Sequence, residues 1–367
     1  MQKADLKKTD RRVSPLPIFV LFFLVLLLIS PTVSFEYMRG SLKLCVQSLV
    51  PSLFPFMIIS DFLISSDTGK ILKALFAHPL SFIFGTSREG SFAVLLGFLC
   101  GFPIGAKSSL KLYEENKISH TELCHIMSFC NIPSPAFMCG AVGLLFQNSR
   151  LGVILFVSLL LSSLILGIVG RFIYKYDRKA VPVSQKRTDA VNAFTSAVSS
   201  SAAVMLTVCA YVVFFSVLIG YATRLCNIVV APKIIPVILS GLLEISNGMS
   251  CAAGLGGNIS PILAAFFAGF SGLSVIFQII SLDRGRYISR KSFVLQKLLQ
   301  GVLCSIICFV LLKFFPMSVN PSAPTLNDIS LESYGLYICF LFFISAALPL
   351  LAMLFQRKKA LTKSDSL

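Results

Sequence analysis

The chain has 367 residues, 56% of them hydrophobic and 13% charged, with a formal net charge of +16. A soluble domain averages about 25% charged residues, so this chain lacks the polar surface to cover a soluble core and points to a bilayer. The excess of Lys and Arg falls in short segments between apolar runs and carries no aromatic platform, which excludes nucleic-acid binding.

In chain order, a basic N-terminus (Lys3, Lys7, Lys8, Arg11, Arg12) precedes the uncharged run 17–34. The following SPTVSF is a poor small-x-small cleavage site, so this run is expected to stay as a first span within residues 1–40. Residues 41–175 are expected to form a first repeat with its connecting span. It comprises a span over 44–65, a hairpin over 91–113, a broken span over 121–146 and a span from Leu151. Residues 176–189 form a basic loop. Residues 190–283 are expected to repeat the plan, with a span over 203–223, a hairpin over 234–257 and a span from Ile259. The last region, 284–367, carries two spans (299–315 and 334–355) and the basic tail from Arg357.

The basic segments should share the cytosolic face with both termini. Between Phe35 and Arg171 the chain must then cross an odd number of times, and between Ala190 and Leu282 an even number. The two halves therefore run in opposite senses, an arrangement of inverted repeats with interrupted helical hairpins typical of secondary transporters. A local echo supports it: NIPSP from Asn131 to Pro135 against NISP from Asn258 to Pro261.

Three interrupted segments carry the candidate chemistry. In GFLCGFPIGAKSS, Gly101, Pro103 and Gly105 break a helix, and a new one is expected to start at Ala106 with Lys107 in its first turn. Free N–H groups at a helix start together with an ammonium make a receptor for a carboxylate or phosphate; the alternative is a tight turn with a snorkelling lysine. In CNIPSPAF, Pro133 and Pro135 free backbone carbonyls, and Asn131 and Ser134 add side-chain donors and acceptors. In GLLEISNGMS, Glu244 is the only carboxylate between Asp189 and Asp283, set beside Ser246 and Asn247. A carboxylate at membrane depth costs about 2.5 kcal/mol or more, so it is a candidate for substrate binding or for proton or cation coupling. The alternative is an interfacial acid at a hairpin tip. Asp61 is a weaker candidate near the end of its span.

The eleven cysteines are scattered through apolar segments, with no CxxC pair and no Cys/His cluster of metal-ligand spacing. No metal site and no cofactor is expected. GFSG at Gly269 to Gly272 looks like a membrane serine-protease motif, but all three histidines precede it, and neither HExxH nor GxGD occurs. The expectation is a transporter, not an enzyme.

Taken in order, PSLFPFMIIS, GFPIGAK, the CNIPSP break, the Glu-containing ISNG segment and GFSGLSVIFQ resemble the nucleoside-recognition or Gate-domain family over roughly residues 40–315. Within it, the chain is similar to the YlbJ group of sporulation integral membrane proteins. The resemblance implies a fold like that of concentrative nucleoside transporters, with two inverted repeats carrying helical hairpins. It also implies passage of dipicolinic acid across the outer forespore membrane. The expected partners are a small anionic substrate, the lipid bilayer and a coupling proton or cation; an oligomer is left open. A pyridine dicarboxylate could meet the Lys107 helix start, with a protonated Glu244 donating to the ring nitrogen or second carboxylate. This chain has ISNG and GFSG where relatives carry Thr-containing and GFGG-like versions. A nucleoside transporter and a non-transporting assembly factor are the alternatives.

Overall fold

The computed structural model describes residues 15–65, 69–174 and 189–317, and these are helical with no strand among them. The basic loop near 175–188, the acidic segment after Met317, the last expected span and the tail lie outside the described residues.

Helix α1 (Pro15–Ile29) opens the chain, and α2 (Pro31–Leu44) leaves it at 99°. The uncharged run 17–34 is thus not one straight span. Pro31 starts the second arm, because proline has no N–H to continue the first and suits the first turn of a new helix. A π-turn at Cys45–Leu49 leads into α3 (Val50–Ser65). Helix α4 (Gly69–Phe84) was not expected from sequence; from Lys73 onward it meets α5 (Arg88–Cys100) at 97°.

From α5 the chain builds one order of elements twice. First comes a hairpin, α5 with α6 (Ile104–Glu114), broken at Gly101–Pro103. A broken span follows: α7 (His120–Phe129), an unwound stretch, then a helix over Ala136–Leu145 that ends as α8 (Gly143–Leu145). A 25-residue helix, α9 (Ser149–Ile173), completes the series. After the 39-residue α10 (Ala190–Ile228), the series recurs. The hairpin is α11 (Ile234–Leu243) with α12 (Ile245–Leu255); the broken span is α13 (Ile259–Phe270) with α14 (Gly272–Asp283). The 25-residue α15 (Arg290–Phe314) closes it. The second mid-span break lies at Ser271–Gly272, both at positive φ, and not at the NISP segment, which starts α13. The NIPSP/NISP echo therefore pairs a break with a helix start and is not a structural equivalence.

Glycines at matching places make the repeat physical. A Cβ on Gly105 would lie 3.1 Å from the Gly97 Cα, and one on Gly248 only 2.2 Å from the Gly241 Cα, so each hairpin closes on a bare Gly–Gly contact. Likewise Gly152 of α9 meets Gly143, and Gly301 of α15 meets Gly269. Where lipid removes the hydrophobic drive between helices, close approach of small residues supplies packing energy instead.

The two hairpins open toward opposite ends. His120 Nε2 lies 2.8 Å from the Tyr287 carbonyl, so the start of α7 and the loop after α14 share one end. Asn148 Nδ2 approaches Met317 Sδ at 3.9 Å, which joins the start of α9 to the end of α15 at the other. The first hairpin leads directly into the start of α7, at the His120 end. The second leads into the start of α13, a full span away from Asp283 and Tyr287. The inversion inferred from charge parity is present in the packing.

Side chains at the helix starts fix where the elements begin. Ser87, Ser119 and Asn148 accept from the N–H groups of Gly90, Glu122 and Leu151, capping α5, α7 and α9. Glu122 of α7 also accepts from the Ser87 N–H at 2.6 Å, tying the starts of α5 and α7 together. Helices α9, α10, α13–α14 and α15 are long and apolar enough to cross a membrane. At 39 residues, α10 is about 58 Å long, well beyond an apolar layer of about 30 Å. It runs beside α2 and α3, and Tyr221 on it donates to the Ser30 carbonyl at 2.9 Å, bracing the bend between α1 and α2.

Candidate functional site

In each half the hairpin tip rests on the break of the span beside it. Gly101 caps α5 at φ +78°, and a Cβ there would lie 2.5 Å from the Ser134 nitrogen. Gly272, at φ +74°, likewise approaches the Glu244–Ile245 backbone: its Cβ would lie 3.1 Å from the Ile245 nitrogen. Only glycine combines that backbone with that approach.

The first break is held by what its prolines remove. In a continuous helix the Phe129 carbonyl would accept from residue 133 and that of Asn131 from residue 135, but both are proline. Ser163 of α9 donates to Phe129 instead, and Lys297 of α15 donates to Asn131 at 2.7 Å. The Ile132 carbonyl takes the Phe102 N–H of the hairpin tip at 2.9 Å. The unwound backbone is thus satisfied by three different elements, as burial at membrane depth requires. Ser134 then starts the next helix by accepting from the Phe137 N–H at 3.2 Å. Asn131 is fully buried; its Nδ2 turns back to the Met127 carbonyl, and its Oδ1 has no partner.

At the second hairpin, Glu244 is the N-cap of α12 and is 1% exposed. Its Oε1 accepts from the Ser246 N–H at 3.0 Å, and its Oε2 from the Asn247 N–H and Nδ2, both at 2.8 Å. Asn247 also donates to Ser216 of α10 at 2.9 Å. Three donors at a helix N-terminus converge on the carboxylate, which is the arrangement that suits a charged acceptor.

Lys107 stands elsewhere. Helix α6 begins at Ile104, not at Ala106, and the Lys107 N–H is already bonded to the Pro103 carbonyl at 2.9 Å. Its ammonium donates to Asp61 Oδ2 of α3 at 2.6 Å, with Lys111 approaching Oδ1 at 3.7 Å. The ammonium that was to meet an anion is therefore neutralised inside the protein, and Pro103 and Gly105 serve the hairpin turn. Gly105 packs on Cys130, whose carbonyl lies 3.0 Å from where a Cβ would stand.

The two tips and two broken spans enclose a narrow cavity. Phe102, Pro133 and Ser134 line it from the first half, and Glu244, Ser246 and Gln278 from the second. Leu53 of α3 and Val208 and Val212 of α10 close it. Of the candidates, Ser134, Glu244 and Ser246 meet here, with Gly101, Asn131 and Asn247 supporting them from behind; Lys107 does not. Glu244 is the only charged residue in the lining. Sequence reasoning missed Gln278, which donates from Nε2 to Ser274 at 3.2 Å while its Oε1 has no partner. The available signal was a single glutamine in the uncharged run 245–282. It also missed Lys297, which sits among Gln300, Gly301 and Cys304 on the buried stripe of α15.

No family model matches the chain. The solved structure of CNTnw in an inward-facing substrate-bound state aligns with a TM-score of 0.44 at 12% identity, covering 80% of this chain and 85% of that one. The sporulation integral membrane protein YlbJ of Bacillus subtilis (strain 168) is 28% identical over 341 residues, spanning 82% of each chain. That likeness runs along most of both sequences, so the chain is similar to an integral membrane protein of sporulation over most of its length.

Proposed function

We propose that the chain transports a small ring-bearing solute, held between the two hairpin tips, and that it does so during spore formation. The observation that carries this reading is the cavity, because polar groups from both halves converge there at membrane depth. Unwound backbone and a buried carboxylate are expensive in lipid, and a purely structural bundle has no use for them. Phe102 offers a ring face, while Ser134, Ser246, Glu244 and Gln278 offer hydrogen bonds.

Dipicolinic acid, across the membrane around the developing spore, is the first candidate solute. The lining has no lysine or arginine, and its strongest groups, Glu244 and the free Gln278 oxygen, are acceptors. An aromatic dicarboxylate would therefore enter protonated or with a neutralising cation, since a bare dianion is repelled by an ionised Glu244. The same acceptors favour a second reading, an uncharged heterocycle with hydroxyl or N–H donors, such as a nucleoside.

Uptake of labelled dipicolinate into proteoliposomes, with and without a pH gradient and with nucleosides as competitors, tests both. Gln278→Leu is the sharpest variant, because the oxygen it removes has no partner in the protein. Removing a hydrogen bond to the solute should weaken half-saturation by about tenfold while leaving the thermal unfolding temperature near wild type. Glu244→Gln should abolish uptake and also destabilise α12, since its amide nitrogen would face N–H donors. Saturable dipicolinate uptake supports the first candidate, and inhibition or uptake by nucleosides alone supports the second. Folded protein that moves neither solute overturns the cavity reading and favours the assembly-factor role.

A further inference from the structure

Lys297 is 1% exposed, sits within a helix long enough to cross the membrane, and among the described residues has no carboxylate beside it. Its Nζ donates to the Asn131 carbonyl and to Gln300 Oε1, each at 2.7 Å. An ammonium with two neutral acceptors and no counter-charge is a costly group in a bilayer. A snorkelling lysine would reach for water; this one is turned inward onto the unwound stretch of the first broken span.

We propose that Lys297, with Gln300 and Asn131, is a proton-binding site that couples protonation to the state of that break. Two unpartnered atoms support it. Gln300 Nε2 is buried without an acceptor, and Asn131 Oδ1 is buried without a donor. In the ammonium state, Nζ donates to the carbonyl left open by Pro135 and to Gln300 Oε1. When one proton leaves for water, the amine keeps two N–H bonds and gains a lone pair. A flip of the Gln300 amide then presents Nε2–H to that lone pair, so its idle donor is used. One proton is bound or released at Nζ, the hydrogen bond to Gln300 reverses direction, and no other covalent bond forms or breaks. The amine holds the carbonyl less strongly than the ammonium, because charge-assisted hydrogen bonds are roughly twice as strong as neutral ones. Protonation thus stiffens the break on which the first hairpin tip rests, through Ile132 and Ser134.

Among the described residues, the elements packed on this part of α15 bring no group that would fix the charge. Cys130 in the break and Cys304 on α15 face Nζ. Helix α13 carries no titratable side chain, and α9 carries Arg150 and Arg171 only near its ends. In α7, His120, Glu122, Cys124 and His125 lie toward the start; Glu122 is bound to Ser87 and His125 to the Gly167 carbonyl.

The role in transport rests on the function proposed above, whereas the proton site itself is testable without a solute. Full-length protein labelled with ¹³C at the lysine ε-carbon is titrated by NMR in detergent between about pH 5 and 10. The Lys297 resonance is assigned by its loss in Lys297→Arg. A one-proton titration of that resonance is expected, and no change across the range overturns the site. Lys297→Arg keeps a cation on the Asn131 carbonyl but cannot release its proton, so it separates structure from coupling. Its solute uptake should proceed at equal rates with and without a pH gradient, where wild type is accelerated several-fold by the gradient. Gradient-dependent uptake that survives in Lys297→Arg overturns coupling. If wild type moves no solute, the transport reading fails and the titration alone decides the proton site.

Discussion

Asp61 receives two lysines from α6, and its 6% exposure makes it a pair the protein has to keep complete. Lys107→Met leaves the carboxylate with only the 3.7 Å approach of Lys111. The expected cost is about 1–3 kcal/mol, because a poorly compensated buried charge is worse than no pair at all. Adding Asp61→Asn removes that charge, so the double variant should recover most of the loss in thermal unfolding. Solute affinity in the double variant should stay within about twofold of wild type, since neither group lines the cavity. A double variant as unstable as the single one would sink this account, and a tenfold loss of affinity would restore Lys107 as an anion receptor. The residue scale is also where the sequence is least readable. Glu244 could be singled out because it stands alone in an apolar run. Lys297 lies only seven residues from Arg290 and reads as the flank of a basic loop. What marks it as buried is its register with Phe293, Gly301, Cys304 and Cys308, a face decided by the helices that pack on α15.

Elements were more legible, because breaks announce themselves through Gly and Pro. The first hairpin turn and the unwound CNIPSP stretch fall where those residues fall, while the second hairpin turns at Glu244, between Gly241 and Gly248. The bend at Ser30, helix α4 and the mid-span turn at Ser271 were missed, and the last of these depends on a neighbour. Ser271 sits at φ +71°, a conformation a serine adopts here because Gly272 must press against the Glu244–Ile245 backbone. Two glycines separate local strain from crowding. Gly257 has φ +70° and nothing within 4 Å of a Cβ, whereas Gly101 has φ +78° and Ser134 at 2.5 Å. Alanine at Gly257 should cost about 1–2 kcal/mol for the positive-φ backbone, and alanine at Gly101 at least as much, because φ +78° with ψ −170° is a region open essentially to glycine alone. Gly101→Ala should cost a further 1 kcal/mol or more, about the lower end for overpacking. Unfolding of the two variants in detergent measures the difference, and equal losses would mean the tip is not braced on the break.

For the whole molecule, the inversion reached from charge parity agrees with the packing, but packing alone does not say which end faces the cytosol. Charge does. The end marked by His120 and Tyr287 carries Arg284, Arg286, Arg290 and Lys291, and the chain also leaves α9 there toward the basic run Lys175 to Arg187. Anionic lipid and the translocon hold such clusters on the cytosolic side. The turn between α10 and α11, at Lys233, is then expected outside, since α10 follows the basic run in sequence and is long and apolar enough to cross the membrane. On that expectation the second hairpin opens outward and the first inward. Cysteines introduced at Lys233 and Glu114, both exposed, test this after Cys124, Cys209 and Cys251, which are not buried, and Cys339 are replaced by serine. A membrane-impermeant maleimide should label Lys233→Cys in intact vegetative cells and Glu114→Cys only after lysis. The reverse pattern would place the basic loops outside, exchange the compartments served by the two hairpins, and reverse the direction in which a proton bound at Lys297 would drive solute.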